Sequence, residues 1–126
     1  MIYKLLSTRV YRSYYGGKNI DYITGVENPD VTRFPEDWLA SVVTAFNPDR
    51  PIENEGLSKT TEGRFLKDII EEKKEEMIGK RENMSLLFKL LDSNERLVIQ
   101  VHPTKEFAKK HFKYFEIRRK SIIFAF

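Results

Sequence analysis

Hydrophobic positions fall along this chain in short clusters with two different strides. Tyr11-Arg12-Ser13-Tyr14-Tyr15 is aromatic and β-prone and stops at Gly16-Gly17, which predicts a strand and then a turn. A stretch rich in Asn, Asp, Gly and Pro follows, from Asn28-Pro29-Asp30 to Phe34-Pro35-Glu36-Asp37, and reads as loop. Trp38–Phe46 (WLASVVTAF) has charges only at its ends and predicts a buried strand, closed by Asn47-Pro48-Asp49. Glu53–Gly63 is polar and punctuated by glycine, hence loop.

The stride then changes. Phe65, Leu66, Ile69, Ile70, Met77 and Ile78 recur with helical spacing and predict a helix over Arg64–Ile78, stopped by Gly79. Its charge run, Glu71-Glu72-Lys73-Lys74-Glu75-Glu76, reads as the solvated face. Ser85–Leu91 (SLLFKLL) and Arg96–Val101 (RLVIQV) read as strands joined by Asp92-Ser93-Asn94-Glu95, a segment with hairpin chemistry. His102-Pro103 ends the second strand. Thr104 is placed to cap a short helix over Lys105–Phe112, with Glu106 in its first turn. Lys120–Phe126 reads as a final strand. The elements together predict a mainly β fold with one or two helices, an α+β class. Trp38 and the apolar positions of the long helix are the expected core.

Composition narrows what such a fold can do. The 126 residues are 40% hydrophobic and 33% charged, room for a single domain over 1–126 with a proper core. With no cysteine there is no disulfide, thiolate zinc finger, iron–sulfur cluster or cysteine nucleophile. A transition-metal site would have to use the two histidines with carboxylates or amides. No apolar run approaches the ~20 residues of a membrane helix, and the first residues lack a signal peptide's apolar stretch, so the expectation is a cytoplasmic protein with no membrane partner. The net charge of +3 is too small to argue for a polyanionic partner. From Thr104 onward, however, seven cations face two carboxylates. The tail His111-Phe112-Lys113-Tyr114-Phe115 mixes aromatics with cations as nucleic-acid stacking surfaces do. No nucleic-acid partner is expected all the same. His111 is expected to face solvent and is assigned no role.

Gln100-Val101-His102-Pro103 is the sharpest local feature. Residues two apart on a strand share a face, so the Gln100 amide oxygen and the His102 imidazole can converge on one point. Such a pair is either hydrogen-bonded structure or the start of a metal site. Its surroundings, Lys89-Leu90-Leu91-Asp92-Ser93-x-x-x-Leu97-x-Ile99-Gln100-Val101-His102-Pro103, resemble the signature of type I mannose-6-phosphate isomerases. Tyr15-Gly16-Gly17, Glu36-x-Trp38-x-x-Ser41, Glu55-Gly56-Leu57-Ser58 and Gly79-Lys80 match family stretches in the same order.

That resemblance implies a cupin-type jelly-roll β-sandwich and a zinc-dependent interconversion of mannose 6-phosphate and fructose 6-phosphate. It implies Gln100 and His102 as zinc ligands. It implies Lys89 as a residue facing the substrate, although a lysine stem snorkelling from an apolar strand fits this position as well. Lys120 and Ser121 align with a family lysine and its neighbouring hydroxyl residue, which makes Lys120 the candidate catalytic and substrate-binding cation. The glutamate that completes the family's ligand set falls on Ile122, which cannot ligate a metal, and Glu116 lies several residues early. The expectation is therefore an incomplete jelly roll, the N-terminal portion of an isomerase, truncated and impaired. It would hold no stable zinc by itself and would cover an open sheet by self-association. The other reading is a non-catalytic cupin module that binds a sugar phosphate or a partner, with Arg118, Arg119 and Lys120 attracting the phosphate.

Overall fold

The computed structural model describes residues 2–84, 86–97, 99, 104–111 and 120–125. In chain order the elements are β1 (Arg9–Val10), α1 (Asn19–Ile23), β2 (Glu36–Leu39), α2 (Leu66–Glu72), α3 (Lys74–Ile78), β3 (Leu86–Leu91), α4 (Lys105–His111) and β4 (Lys120–Ala125). The strands form one sheet in the order β1-β2-β3-β4. β1–β2 and β2–β3 are antiparallel, and β3–β4 is parallel. The result is an α+β fold. Among the described residues there is this one four-stranded sheet rather than two sheets stacked as a sandwich.

The register fixes which side chains share a face. Val10 pairs with Glu36, Glu36 with Leu91 and Trp38 with Lys89. Because side chains alternate along a strand, Val10, Glu36, Trp38, Leu87, Lys89 and Leu91 all lie on one side of the sheet. Val10, Trp38 and Leu87 form the hydrophobic cluster there, with Val43 and Ala45 packed against them. β2 also carries two buried carboxylates, Glu36 on this face and Asp37 on the opposite one. Asp37, on the other face, accepts from the Ser7 hydroxyl and the Thr8 N–H, both at 2.7 Å.

Several sequence expectations need correction. The strand expected over Trp38–Phe46 is instead Glu36–Leu39. Ala40 takes a positive φ of 53°, and the Ser41 hydroxyl then bonds both the N–H and the C=O of Val43, a side-chain turn that takes the place of a ladder. The aromatic segment 11–15 is not a strand either. The Tyr11 N–H goes to the Glu55 carboxylate and the Arg12 N–H to the Arg33 carbonyl. The long helix divides at Lys73 (φ −122°, ψ 39°) into α2 and α3. Its apolar face is nonetheless as expected, with Leu66, Ile69 and Ile70 buried and Gly79 at the C-cap with φ 62°.

The segment 92–95 bonds to the Tyr15-Gly16 turn. Ser93 bridges to Gly16, Asn94 N–H donates to the Tyr15 carbonyl at 2.9 Å, and Glu95 accepts from the Tyr15 N–H at 2.8 Å. Arg96, Leu97 and Ile99 carry no strand, and the rest of the expected strand lies outside the described residues. α4 and β4 appear where expected. Thr104 caps α4, its hydroxyl accepting from the Phe107 N–H at 3.2 Å.

Candidate functional site

Glu36 opens β2 with its side chain on the core face, where an unpaired carboxylate would be costly. Four donors satisfy it. Oε1 accepts from the Lys89 ammonium at 2.9 Å and the Tyr14 hydroxyl at 3.2 Å. Oε2 accepts from the Arg12 guanidinium at 2.9 Å and the Trp38 indole N–H at 2.7 Å. Each oxygen thus receives one cation and one neutral donor, and the carboxylate's four lone-pair positions are filled. The side chains are 4% exposed for Glu36, 14% for Lys89 and 21% for Arg12, so these pairs are little screened by solvent.

Burial pushes the Glu36 carboxyl up, but the Lys89 hydrogen bond, the Arg12 and Lys89 charges and the Trp38 N–H together hold it below its ordinary range. Tyr14 moves the other way. Its burial, then the Glu36 charge and the hydrogen bond to it, raise the phenol well above its ordinary value, with Arg12 opposing. A carboxylate so saturated is a poor proton acceptor and a good anchor. Among the described residues Lys89 is bonded to Glu36 through one of its three ammonium hydrogens, and an ammonium can donate to an oxygen-rich ligand through the others.

Arg12 extends the network. It stacks over Trp38, 5.4 Å from the ring centroid, and donates to Asn47 Oδ1 at 3.3 Å. Asn47 in turn donates to Glu55 at 2.7 Å, and Glu55 holds the Tyr11 N–H at 2.7 Å. Behind Trp38 lies Gly56, with φ +87°; a Cβ there would stand 2.7 Å from the indole. The Ser58 hydroxyl donates to the Trp38 carbonyl at 3.2 Å and accepts from the Ser41 N–H at 2.8 Å.

A second junction closes the end of β3. The buried Asp92 carboxylate accepts from the Asn19 N–H at 2.6 Å and side-chain amide at 3.1 Å, while its backbone carbonyl accepts from the Gly17 N–H at 3.0 Å. A Cβ on Gly17 would meet the Asp92 carboxylate at 2.5 Å, and one on Gly16 would meet Pro35 Cα at 2.8 Å. The Gly-Gly turn is required by this close approach. The segments 15–17, 36–41, 55–58 and 89–93, far apart in sequence, are therefore in mutual contact around β2 and β3.

That convergence joins four of the stretches that resemble the family, 15–17, 36–41, 55–58 and the 89–93 part of the central motif. A family model of the phosphomannose isomerase type I catalytic domain matches residues 6–118. The chain belongs to this family. Comparison with curated proteins and with solved structures returned no match.

Of the candidate residues for a phosphomannose isomerase site, Lys89 stands in the Glu36 cluster, partly buried and ion-paired. Lys120 begins β4 opposite Leu86, whereas Lys89 pairs with Ile123, so the register does not set the two lysines side by side. Ile122 lies on β4 opposite Phe88. Gln100, His102 and Glu116 lie outside the described residues. Among the described residues no group of three or more His, Asp or Glu is arranged to hold a metal. His111 is exposed at the end of α4. No helix among the described residues is long and apolar enough to cross a membrane.

Arg12 and Tyr14 were missed by sequence reasoning. The available signal was a single cation among the aromatic residues of Tyr11-Arg12-Ser13-Tyr14-Tyr15.

Proposed function

We propose that this protein recognises a sugar phosphate, mannose 6-phosphate or fructose 6-phosphate, at the Lys89–Glu36 cluster, as an isomerase-type site. The observation that carries the reading is the ionised, four-donor Glu36 holding Lys89 beside Trp38, at positions matching the family's own motifs. In the interconversion a proton moves between C1 and C2 through an enediol, and negative charge develops on the substrate oxygens. An ammonium fixed on a buried carboxylate stabilises such charge without reorganising. Glu36 does not take the proton, since its lone pairs are filled. Lys120 is the second cation of the proposal, for the phosphate or for proton transfer.

Gln100 and His102 are the residues that would hold zinc, which supplies Lewis-acid polarisation of substrate oxygens when bound. Catalytic zinc sites use three protein ligands. With isoleucine at 122, two candidate ligands leave the ion weakly held, and we place the turnover of this chain by itself well below that of a complete site. The antiparallel β1-β2-β3 sheet suits the family's cupin jelly roll. A cytoplasmic setting suits a cysteine-free chain that acts on sugar phosphates.

A second reading, sugar-phosphate binding without turnover, is favoured by the saturation of Glu36, which leaves no free carboxylate base in the cluster among the described residues. A coupled assay of fructose 6-phosphate formation, with and without added zinc, separates the two. Calorimetry with zinc at neutral pH is expected to give no sub-micromolar site. Tight binding that is lost in His102→Ala would overturn the proposed weak site.

A further inference from the structure

We propose that Arg12 and Tyr14 are positioning residues that act on Lys89 through Glu36. The inference rests on the reading of Lys89 as the substrate-facing cation. Tyr14 and Lys89 share one carboxylate oxygen, at 3.2 and 2.9 Å, and Arg12 grips the other at 2.9 Å. A carboxylate held from one side only can turn about its terminal torsion, which is broad and roughly two-fold. One held at both oxygens by four donors cannot turn without breaking at least one charge-assisted bond. Arg12 is itself fixed at three further points: its guanidinium donates to the Tyr11 carbonyl at 2.9 Å and to Asn47 Oδ1 at 3.3 Å, and its plane lies over Trp38. The rigidity of this frame passes to Glu36 and from Glu36 to Lys89.

Charge and geometry make separable contributions. Replacing Arg12 with lysine restores a cation, but a single ammonium cannot reach Asn47 and Glu36 together as the planar fork does. Tyr14 carries no charge and contributes geometry alone.

Nuclear magnetic resonance of the intact chain tests the assignment. Two signals are followed: the pH titration of the Glu36 carboxyl carbon, and the order of the Lys89 ammonium. In Arg12→Met the Glu36 midpoint is expected to rise by about one pH unit or more, and the Lys89 ammonium to lose order. In Arg12→Lys the midpoint returns towards that of the parent while the Lys89 order does not. In Tyr14→Phe, the gentlest change and the control should Arg12→Met fail to fold, the Lys89 order falls with little change in the backbone amide spectrum. Lys89 order unchanged in Tyr14→Phe and in Arg12→Lys would overturn the assignment. Adding mannose 6-phosphate to the parent protein tests the underlying reading separately. If the Lys89 signal does not move although the variants behave as expected, the sugar-phosphate reading fails and the positioning assignment stands.

Discussion

At Glu36 two opposing effects meet: removal of water favours the protonated acid, and four donors reverse that preference. The sign of the pH dependence follows. The folded carboxyl titrates below its ordinary 4.5, so on acidification the unfolded chain binds its proton first. The stabilisation is complete above about pH 4.5 and is lost as the pH falls through the lower folded value. Urea unfolding at about pH 6 and pH 3.5 should show the parent losing more stability than Glu36→Gln. At neutral pH that variant should itself be about 3 kcal/mol less stable, because Arg12 and Lys89 are left as uncompensated, largely buried cations. Gly17→Ala should cost about 1–3 kcal/mol, since its methyl group must displace the Asp92 carboxylate from Asn19. Sequence alone pointed to Lys89 and to the Glu36-x-Trp38 pair through family resemblance. The partnership of Lys89 with Glu36 spans 53 residues and has no local signature, and the same holds for Asp92 with Asn19, 73 residues apart.

Elements were readable in proportion to how much of their structure is local. The buried stripe of α2 follows from apolar spacing, and Ile69, 1% exposed, should cost about 2–4 kcal/mol when replaced by alanine in urea unfolding at neutral pH. The Thr104 cap and the Gly79 stop likewise depend on neighbours a few residues away. The strand over 38–46 was misplaced for an opposite reason. Apolar residues continue past Leu39, but the Ser41 hydroxyl diverts the backbone into a turn. Glu36 and Asp37 read as the charged end of a loop because nothing nearby announces their partners, yet they begin the strand. Five-residue α1 is too short for periodicity, and its first N–H is satisfied by Asp92.

In the molecule as a whole, the antiparallel part of the sheet brings Arg12, Tyr14, Glu36, Trp38 and Lys89 together from three separated segments, in a chain that belongs to the phosphomannose isomerase family. The proposed function is concentrated where one buried carboxylate organises two cations. Calorimetric titration with mannose 6-phosphate of the parent protein and of Lys89→Met tests this most directly, each sample first shown to be folded by its amide spectrum. Recognition through Lys89 predicts measurable binding by the parent, weakened by about tenfold or more in the variant, the loss of one charge-assisted hydrogen bond. Equal affinity in the two proteins, or no binding by the parent, would contradict it.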